Sequence, residues 1–272
     1  MKIYLINVDS ARERLAFQTE QFKKIDLIFE RLPAITTNNI TDEIYREHYY
    51  DWQRPLRKSE VACYFSHRLA WEKVLANGQP ALILEDDALL CSHTKEILDS
   101  LQNNKSAELV TLEIRGRKKY VAKKSQSINK KNDLVRLYQD KTGAAAYIVW
   151  PSAAKKLLSH ENKKGIALAD AHIFSCRSVK SYQIEPAAAI QLDHCTFYGI
   201  SVNDIDHLTQ SSVSSTKKIS REKIFLLKRA LSQLKLGFIN LQLFFKSSKR
   251  YILIDRDHFD RSKINRQQPP AG

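Results

Sequence analysis

Three consecutive carboxylates, Glu85, Asp86 and Asp87, interrupt the apolar run "LILEDDALL" (82–90). Like charges this close repel, and each loses hydration where it is partly buried. The run must therefore end in water there, or something must compensate it. Three chemistries would do so. Asp87 stands just before a helical stretch and can cap it, the acids otherwise pairing with Lys and Arg. A hard divalent cation, Mg2+ or Mn2+, takes carboxylate oxygens, with substrate phosphates completing its shell. Two acids with split pKa values can also work as a general acid/base pair. On a strand, Glu85 and Asp87 share one side and Asp86 takes the other.

Other residues join them. Asn7 and Asp9 close the apolar run "KIYLIN", and Arg14 follows. Glu60 and His67 lie seven apart and share a helix face. For His67 the plain alternative is a buried histidine bonded to backbone, and for Arg14 a solvated helix charge. Asp170 in "LADAHIF" reads as a base or as a helix cap. His194 in "QLDHC" follows a late strand and can complete a metal shell. No Ser-His-Asp order is present. The cysteines, 63, 91, 176 and 195, are far apart, without zinc spacing and without a disulfide framework, which points to a reducing compartment.

The elements that must position these residues alternate. Strands are expected at 2–7, 26–35, 80–87, 107–114, 134–139, 144–150 and 181–193. Helices are expected at 11–24 (capped by Ser10), 58–78 (capped by Ser59, stopped by Asn77-Gly78), 94–103 and from Pro151 to His160. A short helix and loop fill 36–58, another short element starts at 166, and the basic stretch 115–133 reads as a long loop or a hairpin excursion. This alternation argues for an α/β fold with a mixed, mainly parallel sheet flanked by helices. Such sheets bind ligands at the carboxyl ends of their strands, where Asn7–Asp9 and Glu85–Asp87 stand.

The chain resembles glycosyltransferase family 25, the lipooligosaccharide glycosyltransferases and their collagen galactosyltransferase relatives. The resemblance spans about residues 1–205. It rests on Asn7 and Arg14, on Ser59, Glu60, Cys63, Ser66, His67 and Trp71, on Glu85–Asp87, on "TGAAAYIVWPSAAKKLL" and on "LADAHIF". Ala62, Ser10 and Ala169 stand where the family commonly has Gly, Arg and Pro. The resemblance implies a GT-A-type, Rossmann-like fold, a UDP-sugar donor and a divalent cation, Mn2+ or Mg2+. On that reading Glu85 and Asp87, with His194, hold the metal. Asn7, Arg14 and Asp86 serve the nucleotide. Asp170 is the base for an inverting displacement, with Glu60 and His67 as alternatives. The expected reaction moves a hexose, galactose from UDP-galactose, onto a lipid-linked saccharide of lipooligosaccharide type. A glucosyltransferase is the alternative within the family, and a metal-dependent phosphodiesterase or nuclease the alternative outside it.

Charge is unevenly placed. Residues 1–216 carry a net +4 and residues 217–272 a net +10. The expected organisation is a catalytic domain at 1–210, a linker at 211–216 and a basic helical segment at 217–272. Within 217–250 apolar residues recur at steps of three or four, from Ile224 to Phe245, as one amphipathic helix or a pair broken near Gly237. Such a helix fits an anionic membrane surface, or packs on the catalytic domain and exposes its lysines. No nucleic-acid module is visible. The start "MKIYLINVDS" reads as a strand rather than a signal peptide, and no run of 18 apolar residues occurs. The expected location is cytoplasmic, on the inner face of a bacterial inner membrane.

Overall fold

A computed structural model describes residues 1–140, 143–202, 208–209 and 222–259. The first half contains β1 (Lys2–Asn7), α1 (Arg12–Lys24), β2 (Glu30–Pro33), α2 (Asp42–His48), α3 (Lys58–Asn77), β3 (Ala81–Glu85), β4 (Ala88–Leu90), α4 (Thr94–Leu101), β5 (Leu109–Thr111) and β6 (Glu113–Ile114). The second half contains β7 (Lys119–Ser127), β8 (Asp133–Gln139), β9 (Ala146–Val149), α5 (Pro151–Lys164), α6 (Ala169–Ser175), β10 (Ser181–Glu185), β11 (Ala189–Gln191), α7 (Lys223–Lys246) and β12 (Ser247–Arg250).

A nine-stranded sheet runs β12-β7-β8-β10-β5-β9-β3-β1-β2, and a three-stranded sheet β4-β11-β6 lies beside it. The large sheet is mixed. β1 is parallel to both β2 and β3, while β9 runs antiparallel between β3 and β5. Period-2 alternation sorts its side chains into two cores. Ile3, Leu5, Leu82 and Leu84 pack with Phe22 of α1, Ile97 of α4 and the small sheet. Tyr4, Ile6, Ala81 and Ile83 pack with Val61, Trp71 and Val74 of α3 and with α5 and α6. Both faces are covered, which is why these strands read as unbroken apolar runs.

Several boundaries differ from the sequence reading. Ser10 does not cap α1: its N-cap is Ala11, which makes no side-chain hydrogen bond. Ser59 lies inside α3, whose N-cap is Arg57, and the Arg57 backbone N–H donates to Glu60 Oε2 at 3.0 Å. Glu at the third helical position reaches back better than a Ser already inside the first turn. Gly78 ends α3 at φ 64°, as expected of a C-terminal glycine. The second strand is only Glu30–Pro33. The stretch 115–133 contributes β7, half of a hairpin with β8. Gly237 does not break α7, which is one helix of 24 residues. β12 follows it directly and pairs with β7, so the basic segment also supplies an edge strand of the main sheet. The expected linker at 211–216 lies outside the described residues.

Candidate active site at the strand ends

β3 stops at Glu85, and Asp86–Asp87 turn the chain into β4. The alternation persists one residue past the strand. Asp86 turns to the α1 face, where its Oδ1 accepts from Arg14 Nη1 at 2.9 Å and its Oδ2 from Asn7 Nδ2 at 2.8 Å. Asn7 Oδ1 in turn accepts from Arg31 Nε at 2.8 Å, and Gln18 donates to the Asp86 carbonyl at 2.9 Å. Asn7, Arg14 and Asp86 thus meet as a clamp joining β1, α1 and the acidic turn. Burial raises the Asp86 carboxyl, against the lowering by Arg14 and Asn7.

Glu85 turns the other way, toward α3. Its Oε1 lies 2.9 Å from His67 Nε2, and the Glu85 side chain keeps 26% exposure. Asp87 Oδ1 is buried without a hydrogen-bond partner. Burial first, then Glu85 and Asp86, push the Asp87 carboxyl up to about 8.

Asp170 stands in the first turn of α6, and its Oδ1 accepts from the Ala171 N–H at 2.7 Å. Burial is the main cause of its raised pKa. The backbone N–H groups of Ala171 and Gly143 oppose this, while Glu85 and Asp140 add to it. This puts Asp170 in the field of the β3 acids, which sequence spacing alone did not show.

The other two base candidates are committed elsewhere. Glu60 is buried and forked by Arg54, with both N···O distances 2.7 Å. Burial pushes its carboxyl up, but Arg54 and the Arg57 N–H outweigh that and hold it below its ordinary value. It is a structural ion pair at the start of α3 and is not placed to take a substrate proton. His67 is fully buried between Glu85 and Tyr147, whose hydroxyl lies 2.9 Å from Nδ1, so no acceptor hydroxyl reaches it. Its partners are side chains, not the backbone that the plainer reading supplied. His194 sits on the turn after β11, with Nδ1 2.8 Å from Asp193 Oδ1, and Asp193 also pairs with Arg115 at 2.7 Å.

Four residues escaped the sequence reading. Glu113 of β6 is 1% exposed; its Oε2 accepts from the Ala145 N–H at 3.0 Å, and its Oε1 has no hydrogen-bond partner. Burial lifts its carboxyl well above the ordinary range, Lys119 opposes that, and Glu85, Asp140 and Asp87 add to it. Gly143, at φ 96°, lies over this carboxylate: a Cβ there would come within 1.4 Å of Glu113 Oε1. Lys119 is buried and forms a 2.5 Å ion pair with Asp140. It also donates to the Glu113 carbonyl at 2.9 Å and to Gln183 Oε1 at 2.7 Å. One signal was available, since Glu113 interrupts the apolar run "LVTLEI" much as Glu85–Asp87 interrupt theirs. Lys119 had none, being one lysine in a basic stretch.

Glu85, Asp87, Glu113, Asp140 and Asp170 therefore share one field, and Lys119 is a buried cation within it. Two buried carboxylate oxygens in that field, Asp87 Oδ1 and Glu113 Oε1, lack hydrogen-bond partners, and such oxygens are the donor type that a hard cation takes. Among the described residues, one group of three potential metal ligands is closely spaced: Cys63, His67 and Glu85, with ligand atoms within 4.8 Å of one another. It suits a hard cation less well. Burial, then Glu85 and Asp170, push the Cys63 thiol well up, and His67 Nε2 is engaged with Glu85. A surface groove of about 710 Å³ near Pro80, Glu108 and Trp150 lies by the amino ends of β3 and β5, away from these acids.

The family model described as Glycosyltransferase family 25 (LPS biosynthesis protein) matches residues 1–172. Three bacterial proteins are similar over most of this length. A Haemophilus influenzae protein bearing a glycosyltransferase name is 26% identical over 197 residues, covering 69% of each chain. The lipooligosaccharide biosynthesis protein lic2B of Haemophilus influenzae is 24% identical, over 69% of this chain and 75% of its own. The lacto-N-neotetraose biosynthesis glycosyltransferase LgtE of Neisseria gonorrhoeae is 26% identical, over 71% of this chain and 75% of its own.

Proposed function

Because the chain belongs to glycosyltransferase family 25, we propose that it transfers a hexose, galactose from UDP-galactose, to a lipooligosaccharide-type saccharide with inversion at the anomeric carbon. The observation that carries this is the acidic end of β3, where Asp87 Oδ1 is buried without a hydrogen-bond partner beside Glu85. The names of lic2B and LgtE support the saccharide class. Galactose is the hexose that the sequence resemblance implies.

Glu85 and Asp87 would hold Mn2+ or Mg2+, with His194 near the same strand ends. The cation supplies Lewis-acid neutralisation of the charge that develops on the leaving diphosphate. The rest falls to the protein. The Asn7–Arg14–Asp86 clamp forms the nucleotide end of the crevice. Asp170 takes the proton of the acceptor hydroxyl as that oxygen bonds to the anomeric carbon and the bond to UDP breaks. A carboxylate with a raised pKa is suited to that task. Lys119 holds Asp140 and offsets part of the acidic field.

A lipid-linked acceptor requires the enzyme at a bilayer, and α7 supports an anionic membrane surface as the second partner. Between Lys223 and Lys246 it carries five basic residues and no acid. Ile224, Leu227, Leu231, Leu234, Phe238, Leu241 and Phe245 recur at steps of three and four, and all are exposed. No helix among the described residues is long and apolar enough to cross a membrane.

The test is a screen of nucleotide sugars by UDP release, with and without Mn2+. UDP-galactose should give release that needs both a saccharide acceptor and the cation. Preference for UDP-glucose would move the reading to a glucosyltransferase. Turnover of a phosphodiester with no sugar transfer would overturn it.

A further inference from the structure

Glu85 is held by a hydrogen-bond chain whose direction can be read from chemistry alone. Trp71 Nε1 lies 2.8 Å from the Tyr147 hydroxyl oxygen, and an indole N–H can only donate. The Tyr147 oxygen is therefore an acceptor there, and its own proton must go elsewhere. His67 Nδ1, at 2.9 Å, is the acceptor that remains. With Nδ1 accepting, the ring proton of a neutral imidazole sits on Nε2, which donates to Glu85 Oε1 at 2.9 Å. Every proton then has an acceptor. A proton on Nδ1 would leave the Tyr147 O–H without one. All three residues of the chain are buried, with exposures of 0% for Trp71 and His67 and 2% for Tyr147.

The fold builds this chain from three elements. His67 and Trp71 are four apart on α3 and share a face. Tyr147 comes from β9, whose register pairs it with Ile83, two residues before Glu85 on the same side of β3. The donor at the end of the chain fixes one Glu85 oxygen and leaves Oε2 without a hydrogen bond among the described residues, on a side chain that is 26% exposed.

We infer that Trp71, Tyr147 and His67 are positioning residues that lock the Glu85 carboxylate in one orientation, with Oε1 on His67 and Oε2 presented to the cation of the donor complex. This rests on the proposal that Glu85 is a cation ligand. It recasts His67 from a candidate base into the residue behind the ligand, a place whose loss elsewhere costs about 10–100-fold in metal affinity.

The test is Mn2+ binding to the full chain, read by loss of the free Mn2+ electron paramagnetic resonance signal, with UDP present. Unfolding midpoints are measured alongside. His67→Leu should weaken Mn2+ binding about tenfold or more. His67→Gln, whose amide can both donate to Glu85 and accept from Tyr147, should recover all but about threefold. Tyr147→Phe, which removes only the hydroxyl that sets the tautomer, should weaken binding about threefold to tenfold and serves if His67→Leu does not fold. Wild-type affinity in both His67→Leu and Tyr147→Phe would overturn the proposal, as would a Gln variant as weak as Leu. A wild-type chain that takes up no Mn2+ would overturn the cation reading of Glu85 and this proposal with it. Normal wild-type uptake with insensitive variants would overturn this proposal alone.

Discussion

Asp87 carries the sharpest consequence of the acidic turn. Its folded-state pKa of about 8 lies far above the usual carboxylate value. Between about pH 4 and 8 the folded metal-free chain holds a proton that the unfolded chain has released, so its stability falls as pH rises through that window. Asp87→Asn should flatten this loss in thermal unfolding without metal, and Mn2+ should raise the wild-type midpoint more at pH 8 than at pH 6. The same variant should lower UDP release at least about 100-fold while leaving the far-ultraviolet circular dichroism unchanged, since outer-shell partners alone are worth 10–100-fold. Wild-type turnover in Asp87→Asn would remove Asp87 from the site. The three adjacent acids were legible as a problem of charge, and their alternation correctly assigned Asp86 to the opposite side. That Glu85 would be met by a histidine N–H was not legible, because His67 and Glu85 are 18 residues apart and only the packing of α3 on β3 joins them.

Two connections support the site from outside the acidic turn. The 143–145 segment leading into β9 passes over Glu113 so closely that only glycine fits at 143. Gly143→Ala adds a strained positive φ and a clash, and should cost more than about 2 kcal/mol in denaturant unfolding. Adding Glu113→Ala should recover the clash but not the φ cost, a coupling that a double-mutant cycle reads directly. If the two losses simply add, the close approach is not the cause. On α6, which carries Asp170, burial lowers His172 to about 4, with His160 adding to the effect. The unfolded chain takes up that proton nearer pH 6.5, so stability is lost as pH falls from 6.5 toward 4, by up to about 3 kcal/mol. His172→Gln keeps a donor for the Leu157 carbonyl and should flatten that acid slope; an unchanged slope would mean that other groups set it. The broad apolar face and the Asn77-Gly78 stop placed α3 well, and Pro151 placed the start of α5, which runs on to Lys164. β7 was harder to see, because its outer half, Lys123–Ser127, faces solvent and carries no apolar alternation.

For the molecule as a whole, α7 is docked on the rest of the chain and still exposes an apolar stripe. It is docked: Phe225 is buried and stacks on Tyr50 at 5.5 Å, Lys228 donates to the Tyr50 carbonyl, and β12 continues directly into the main sheet. It is also unpaired along one flank, with Leu234 71% and Phe245 77% exposed. Removing everything after Val213 would therefore delete an edge strand as well as the helix, and would confound a binding test. The double variant Leu234→Gln/Phe238→Gln touches only the exposed stripe. It should weaken binding to anionic vesicles by about tenfold per residue while changing stability by less than about 0.5 kcal/mol. Undiminished vesicle binding would count against the membrane surface, and a shift from dimer to monomer in sedimentation would assign the stripe to a second copy of the chain.

By itself the sequence determined the alternation of strands and helices, the placing of acids at strand ends, the family resemblance and the basic bias of the last residues. Each of these depends on local order along the chain, on periodicity, turn chemistry and charge, and so survives without coordinates. Only the tertiary structure decided which acids share a field, that Glu60 is held by Arg54, that Glu113 and Lys119 belong beside the site, and that His67 backs Glu85. Those outcomes depend on which residues distant in sequence come within a few ångströms, where burial strengthens each charge and hydrogen bond.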